Sequence, residues 1–216
     1  MSDRLDGVIA ITGVWRLSAL EVGLSGSQIY SETFIYSENR AELETAFSRT
    51  RLMKHAGGMS TALMTDLYEV TMLDAALRSG VASRRATFEV FARRLPAGRG
   101  YGVVAGPGRL AEQLADFHFS AAQIDYLASL GRFSDDLLQF LEAFQFEGEV
   151  WSYREGDFYV PGSPVLRVDC SFGAGLLLET LVLSVLNHDS AVASAAARMH
   201  DVAKGRHLIE MGGRRT

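Results

Sequence analysis

Cysteine is nearly absent from the chain: Cys170 is the single one among 216 residues. An intrachain disulfide and a thiolate metal cage are thereby excluded, which suits a reducing, cytoplasmic setting. A basic excess is also missing. Lys and Arg number 21 against 26 Asp and Glu, a net charge of -5, so non-specific binding to a nucleic-acid backbone is not expected. No uninterrupted apolar run reaches the ~20 residues that span a bilayer. The longest, residues 174–186, is broken by Glu179, Thr180 and Ser184, and a membrane protein is not expected. The N-terminus carries Asp3, Arg4 and Asp6 rather than a basic segment ahead of its short apolar run, unlike a secretory signal. The five histidines show no chelating spacing. There is no P-loop, and Gly98-x-Gly100-x-Gly102 lacks the strand, turn and helix of a dinucleotide-binding loop. His188-Asp189-Ser190 has triad residue types, but neighbours along one helix point apart.

What is present is a chain with 48% hydrophobic and 22% charged residues, enough for the core of one or two domains. Residues 1–58 have no clear period: a strand over 8–14, a polar helix over 40–50 and a linker over 51–58 are the readable pieces. They form an extension or a mis-assigned start. From Thr65 the pattern sharpens. Asp66 and Glu69 have the spacing of a capping box, and Leu67, Val70, Leu73 and Leu77 predict a helix closed by Gly80. Residues 87–91 alternate like a strand. Ser120 with Gln123, and then Ser134, open two further helices. The second of these turns Leu137, Leu138, Leu141 and Phe144 inward.

Three strand-like runs follow at 149–153, 157–160 and 164–168, parted by Gly156 and Pro161-Gly162. A long buried helix is predicted over 172–203, with one polar stripe of Thr180, Ser184, Asn187, Ser194, Arg198 and Asp201. Residues 207–211 read as a short buried strand leading into Gly212-Gly213-Arg214-Arg215-Thr216. A buried strand without neighbours leaves unpaired backbone groups, so the chain reads as a truncated copy or the first half of a longer protein. The expected domains are 59–170 and 171–216.

Arg214 and Arg215, beside backbone amides of a glycine turn, suit an anionic guest, since guanidiniums bind carboxylate and phosphate bidentately. A solvated basic terminus is the plain alternative. Tyr68, in the first turn of its helix, is placed to stack on a flat ring or simply to pack on a neighbour. Asp66 serves as a cap or a substrate contact. Arg93 and Arg94 reach a phosphate or form a solvated turn.

Several segments together carry a family resemblance. Thr65-Asp66-Leu67-Tyr68-Glu69 with Thr71-Met72, and 88–96 (Phe88 through Arg93 to Pro96), resemble the Thr-Asp-x-Tyr and Phe-x-x-Phe-x-Arg-x-x-Pro motifs of nicotinate phosphoribosyltransferases. Residues 162–166, 178–187 and the strand-and-arginine motif at 208–216 continue the likeness, in the family's order, across about 59–216. The likeness is to bacterial, actinobacterial members. Gly213, Cys170 and Gly173 depart from the family pattern.

The resemblance implies an α/β fold, an α+β open-faced sandwich followed by the start of an irregular α/β barrel of type II phosphoribosyltransferase kind. It implies the joining of nicotinate to phosphoribosyl pyrophosphate in NAD synthesis, with coupled ATP hydrolysis, magnesium and a homodimer that shares its sites. Tyr68 would stack on the pyridine ring, in the partner subunit's site. Arg215 or Arg214 would hold a carboxylate or phosphate, Arg93 would approach phosphates, and Ser190 or Thr216 would line the pocket. No residue matches the family's phosphorylated histidine. The competing readings are a nicotinamide or quinolinate phosphoribosyltransferase, or a truncated paralogue that serves as a non-catalytic dimer partner.

Overall fold

The computed structural model describes residues 60–209 together with 48–49. Its elements, in chain order, are β1 (Ser48–Arg49), α1 (Leu67–Arg78), β2 (Arg85–Phe91), β3 (Gly102–Val103), α2 (Pro107–Ala115), α3 (Ala121–Ser129), α4 (Asp135–Glu142), β4 (Gly148–Ser152), β5 (Phe158–Tyr159), β6 (Pro164–Ser171) and α5 (Phe172–Ala203). The helix and strand mixture agrees with the α/β expectation.

Alternation builds the main sheet. Its order is β1-β4-β6-β2, every pairing antiparallel. Phe88 pairs with Val168, Val90 with Leu166, and Val150 with Val168, and all of these side chains are buried. Successive strand residues point to opposite faces, so the other face gathers Thr87, Glu89, Trp151, Arg167 and Asp169, all half-buried. Asp169 accepts from Thr87 Oγ1 at 2.6 Å and meets Arg167 Nε at 3.0 Å. The Arg167 guanidinium lies 5.5 Å from the centre of the Trp151 ring. One face is therefore core and the other polar, as in an open-faced sandwich.

Helix α5 lies on the apolar face, where Leu177, Leu178, Val182, Val185 and Leu186 are almost fully buried. It reaches the sheet because Gly175 has no side chain: a Cβ there would stand 1.9 Å from the Phe88 ring. By length and composition α5 could cross a bilayer, but in this fold it packs on α1, α2, β2, β3 and β6. The expected domain boundary at 170/171 falls inside β6, one residue before the strand ends and α5 begins.

A second, two-stranded sheet pairs β3 with β5, and α5 supplies the other edge of β3. Ser194 Oγ accepts from Val103 N–H at 2.8 Å, and Ser190 Oγ accepts from Ala105 N–H at 3.1 Å and donates to Ala105 O at 3.1 Å. The Arg198 guanidinium donates to Tyr101 O. Residues four apart on the helix thus meet residues two apart on the strand, because about 6 Å of helix rise matches about 6.6 Å of strand.

Several expectations are corrected here. Asp66 occupies the N-cap position of α1 but makes no side-chain cap; the Glu69 N–H that it would cap bonds the Asp66 carbonyl instead, at 3.1 Å, and the Glu69 side chain turns into the core. Leu67 is exposed rather than inward. Helix α2 was not foreseen: its apolar positions Leu110 and Leu114 are few and it opens on Gly106-Pro107-Gly108, which reads as loop. The polar stripe of α5 is one face that meets two partners at different heights: Thr180 meets α1, while Ser194, Arg198 and Asp201 meet Tyr101 and β3.

The strand expected from His207 is not formed over 207–209. Leu208 and Ile209 are exposed, at 54% and 84%, with no strand beside them to pair with among the described residues. The helix expected over 40–50 is contradicted at 48–49, which pair as β1 with Ser152 and Trp151. The rest of it, the 8–14 strand and the 51–58 linker lie outside the described residues.

Candidate functional site

The first turn of α1 gathers most of the titratable chemistry. Val70, Leu73 and Ala76 seat the helix on the core, which leaves Tyr68 on its outer side, 46% exposed, beside the exposed Leu67 and Met72. An aromatic of that exposure on a fixed helix is a stacking platform with its face open. Its hydroxyl faces the Glu179 carboxylate of α5. Burial raises the phenol's pKa, and the negative charges of Glu179, Glu69 and Asp66 raise it further.

Glu69 points the other way, into the α1–α5 interface, and is 0% exposed. Its Oε1 accepts from the Thr180 hydroxyl at 2.7 Å and from Thr180 N–H at 3.0 Å. Its Oε2 is buried without a hydrogen-bond partner. Burial pushes this carboxyl up to about 7; the Thr180 hydroxyl opposes the rise and nearby Glu179 adds to it. Glu179 is itself raised, again chiefly by burial. One peptide step therefore sends Tyr68 outward and Glu69 inward, and both side chains face the consecutive pair Glu179-Thr180.

A second cluster joins α2 to α5. Arg109 grips Asp189 through two hydrogen bonds, at 2.9 and 2.7 Å, and His188 Nδ1 lies 2.9 Å from the same carboxylate. The arginine and histidine hydrogen bonds hold the Asp189 carboxyl below its ordinary range, against the effect of its burial. Glu155 accepts from the N–H groups of Gly106 and Gly108, closing the amide end of α2. Ser190 faces β3 rather than this cluster, whereas His188 and Asp189, expected to point apart, meet.

Of the residues singled out from sequence, Tyr68 and Asp66 come together at the head of α1. Arg93 is exposed just past the end of β2. Ser190 is buried as a tie to Ala105. Arg214, Arg215 and Thr216 lie outside the described residues. Sequence reasoning missed the part played by Glu69, Glu179 and Thr180. A signal was available: Glu69 stands four before Leu73 and seven before Ala76, on the buried stripe of α1. Among the described residues no group of three or more His, Cys, Asp or Glu could hold a metal ion. The Cys170 thiol is pushed up to about 12 by burial, so it is not a ready nucleophile.

The profile of the nicotinate phosphoribosyltransferase N-terminal domain matches residues 63–187, across α1, the sheet and the first half of α5. The chain belongs to the nicotinate phosphoribosyltransferase family. A nicotinate phosphoribosyltransferase of Mycobacterium tuberculosis is 59% identical over 155 residues, covering 71% of this chain and 34% of that protein. One from Bacillus subtilis is 33% identical over 156 residues, covering 72% and 32%. The crystal structure of human nicotinic acid phosphoribosyltransferase superposes with a TM-score of 0.62 at 33% identity, over 67% of this chain and 29% of that one. The chain spans about a third of the length of the curated relatives it matches. The matched segment of this family member contains Tyr68, Glu69, Glu179 and Thr180.

Proposed function

We propose that this chain carries the ring-presenting part of a nicotinate phosphoribosyltransferase, in which nicotinate and phosphoribosyl pyrophosphate give nicotinate mononucleotide and pyrophosphate, coupled to ATP hydrolysis. The observation that carries the reading is the outward, half-exposed Tyr68 in the first turn of α1, within a segment 59% identical to a relative of that name. Tyr68 stacks on the pyridine ring, and Asp66 shapes the approach to it. Arg93, Arg214 or Arg215, and Thr216 supply contacts to phosphate or carboxylate. Ser190 acts at one remove, by holding the 105–109 turn. The exposed Leu67, Tyr68 and Met72 support a homodimer in which α1 reaches the partner subunit's site. Among the described residues no group of three or more His, Cys, Asp or Glu could hold magnesium. The setting proposed is the cytoplasm.

The test is pyrophosphate release that depends on nicotinate, phosphoribosyl pyrophosphate, ATP and magnesium. It is measured for this protein alone and after mixing with a longer relative. Nicotinamide and quinolinate replace nicotinate in parallel. Release in the mixture, lowered by Tyr68→Ala in this chain, supports the reading. Preference for nicotinamide or quinolinate overturns the substrate, and indifference to Tyr68→Ala overturns the role of the tyrosine.

A further inference from the structure

We propose that Glu69 is a positioning residue for Tyr68: its buried side chain, keyed to Thr180 in the protonated form, fixes the first turn of α1 on α5 and so sets the neighbouring ring before a flat guest arrives. The proposal rests on the reading of Tyr68 as the ring-stacking residue.

The head of α1 lacks the ties that usually hold a helix start. Asp66 stands at the N-cap without a side-chain cap, and the buried Thr65 hydroxyl has no hydrogen-bond partner. In the first turn, Leu67 and Tyr68 are exposed while Glu69 and Val70 are buried. Val70 contributes apolar contact, which is non-directional. The directional tie is Glu69, whose Oε1 accepts from the Thr180 hydroxyl at 2.7 Å and from the Thr180 N–H at 3.0 Å. These two bonds fix both the height of the turn along α5 and its rotation. Tyr68 is the adjacent residue, so a rotation of α1 that broke them would swing its ring as well.

The geometry calls for the neutral acid. Glu69 is 0% exposed, and with both donors on Oε1 its Oε2 lies buried without a partner. A charge at that place goes uncompensated. The titratable groups that face it are Glu179 on α5 and Asp66 and Tyr68 on its own helix, all of them acids that supply no positive charge. Losing the proton thus favours any movement that lets water reach Oε2, and the shortest one lifts the head of α1 from α5. Burial delays that loss to about pH 7.

The experiment uses the full chain with labelled tyrosines, the Tyr68 signal being assigned with Tyr68→Phe. The ring is followed by NMR from about pH 6 to about pH 8.5, without and with nicotinate. The unmodified protein is compared with Glu69→Gln, Glu69→Ala and Glu179→Gln. The expected result is a ring signal that moves with a midpoint of about 7 in the unmodified protein and in Glu179→Gln. Nicotinate binding should weaken by about fivefold across the range, the weight of one hydrogen bond. Glu69→Gln, which stays neutral, should bind tightly throughout and lose the pH response, and Glu69→Ala should bind weakly at both ends. A pH response that survives Glu69→Gln, or that vanishes in Glu179→Gln, overturns the proposal while leaving Tyr68 as a stacking residue. So does equal binding by Glu69→Ala and the unmodified protein at the lower pH. If nicotinate leaves the Tyr68 ring undisturbed in every form, the stacking reading falls, and with it the role given to Glu69.

Discussion

Replacing Glu69 by Gln should make the protein more stable at about pH 8 and leave it nearly unchanged near pH 4.5. The carboxyl's ordinary value is 4.5, and in the fold it rises to about 7. Below 4.5 both the folded and unfolded chains hold the proton, and the group contributes nothing to pH dependence. Between 4.5 and about 7 the unfolded chain releases it while the folded one keeps it, so stability falls as pH rises. Above that window the loss is complete, and a shift of this size corresponds to roughly 3 kcal/mol at most.

Gln imitates the protonated acid: its oxygen still accepts from Thr180, and its amide takes the place of the unpartnered Oε2. Urea unfolding at the two pH values measures the difference. Other titrating groups cancel, because they are common to both proteins. Glu179 is shifted in the same direction. Asp189, lowered from 3.8, acts only below this range. A gap between the two proteins that changes by less than about 1 kcal/mol from pH 4.5 to 8 refutes the burial argument.

Three further outcomes test the fold. Gly175→Ala should lower stability by about 1–3 kcal/mol, since a Cβ would stand inside contact distance of the Phe88 ring; thermal unfolding reads it. Ser194→Ala should cost a similar amount, about 1–3 kcal/mol, by leaving the buried Val103 N–H without its acceptor. Hydrogen exchange should also quicken there. Ser120→Ala removes the capping box it shares with Gln123 and should cost about 1 kcal/mol by chemical denaturation.

The helices and strands that declare a period were legible in the sequence. Helix α5 runs over 172–203, the span expected from its apolar pattern and the glycine that follows. The Ser120 and Ser134 caps are where hydroxyls before apolar runs should place them. What escaped notice depends on contacts between residues far apart in sequence. Glu69 and Thr180 are 111 positions apart; the spacing of Glu69 on the buried stripe of α1 marks it as inward, but nothing local names Thr180 as its partner. The resemblance offers Ser190 as a pocket residue, but its tie to Ala105 is not legible, because nothing local shows that β3 takes a partner on its open edge. Tyr68 was legible as an aromatic near a helix start, but the carboxylate that its hydroxyl faces was not.

The two attachments of α5, one near each end, carry a consequence for how this segment can change. Thr180 is keyed to α1 and Ser190, Ser194 and Arg198 are keyed to Tyr101 and β3. One added residue between Thr180 and Ser190 would turn the distal half by about 100° relative to the proximal half. Either the serines would leave β3 or Thr180 would leave Glu69, and no compensating side-chain change could restore both. The count of residues between those two points is therefore fixed more firmly than their identity. Insertions among proteins sharing this helix should fall outside 180–190, and an engineered one inside it should uncouple the β3–β5 pair from the platform that bears Tyr68.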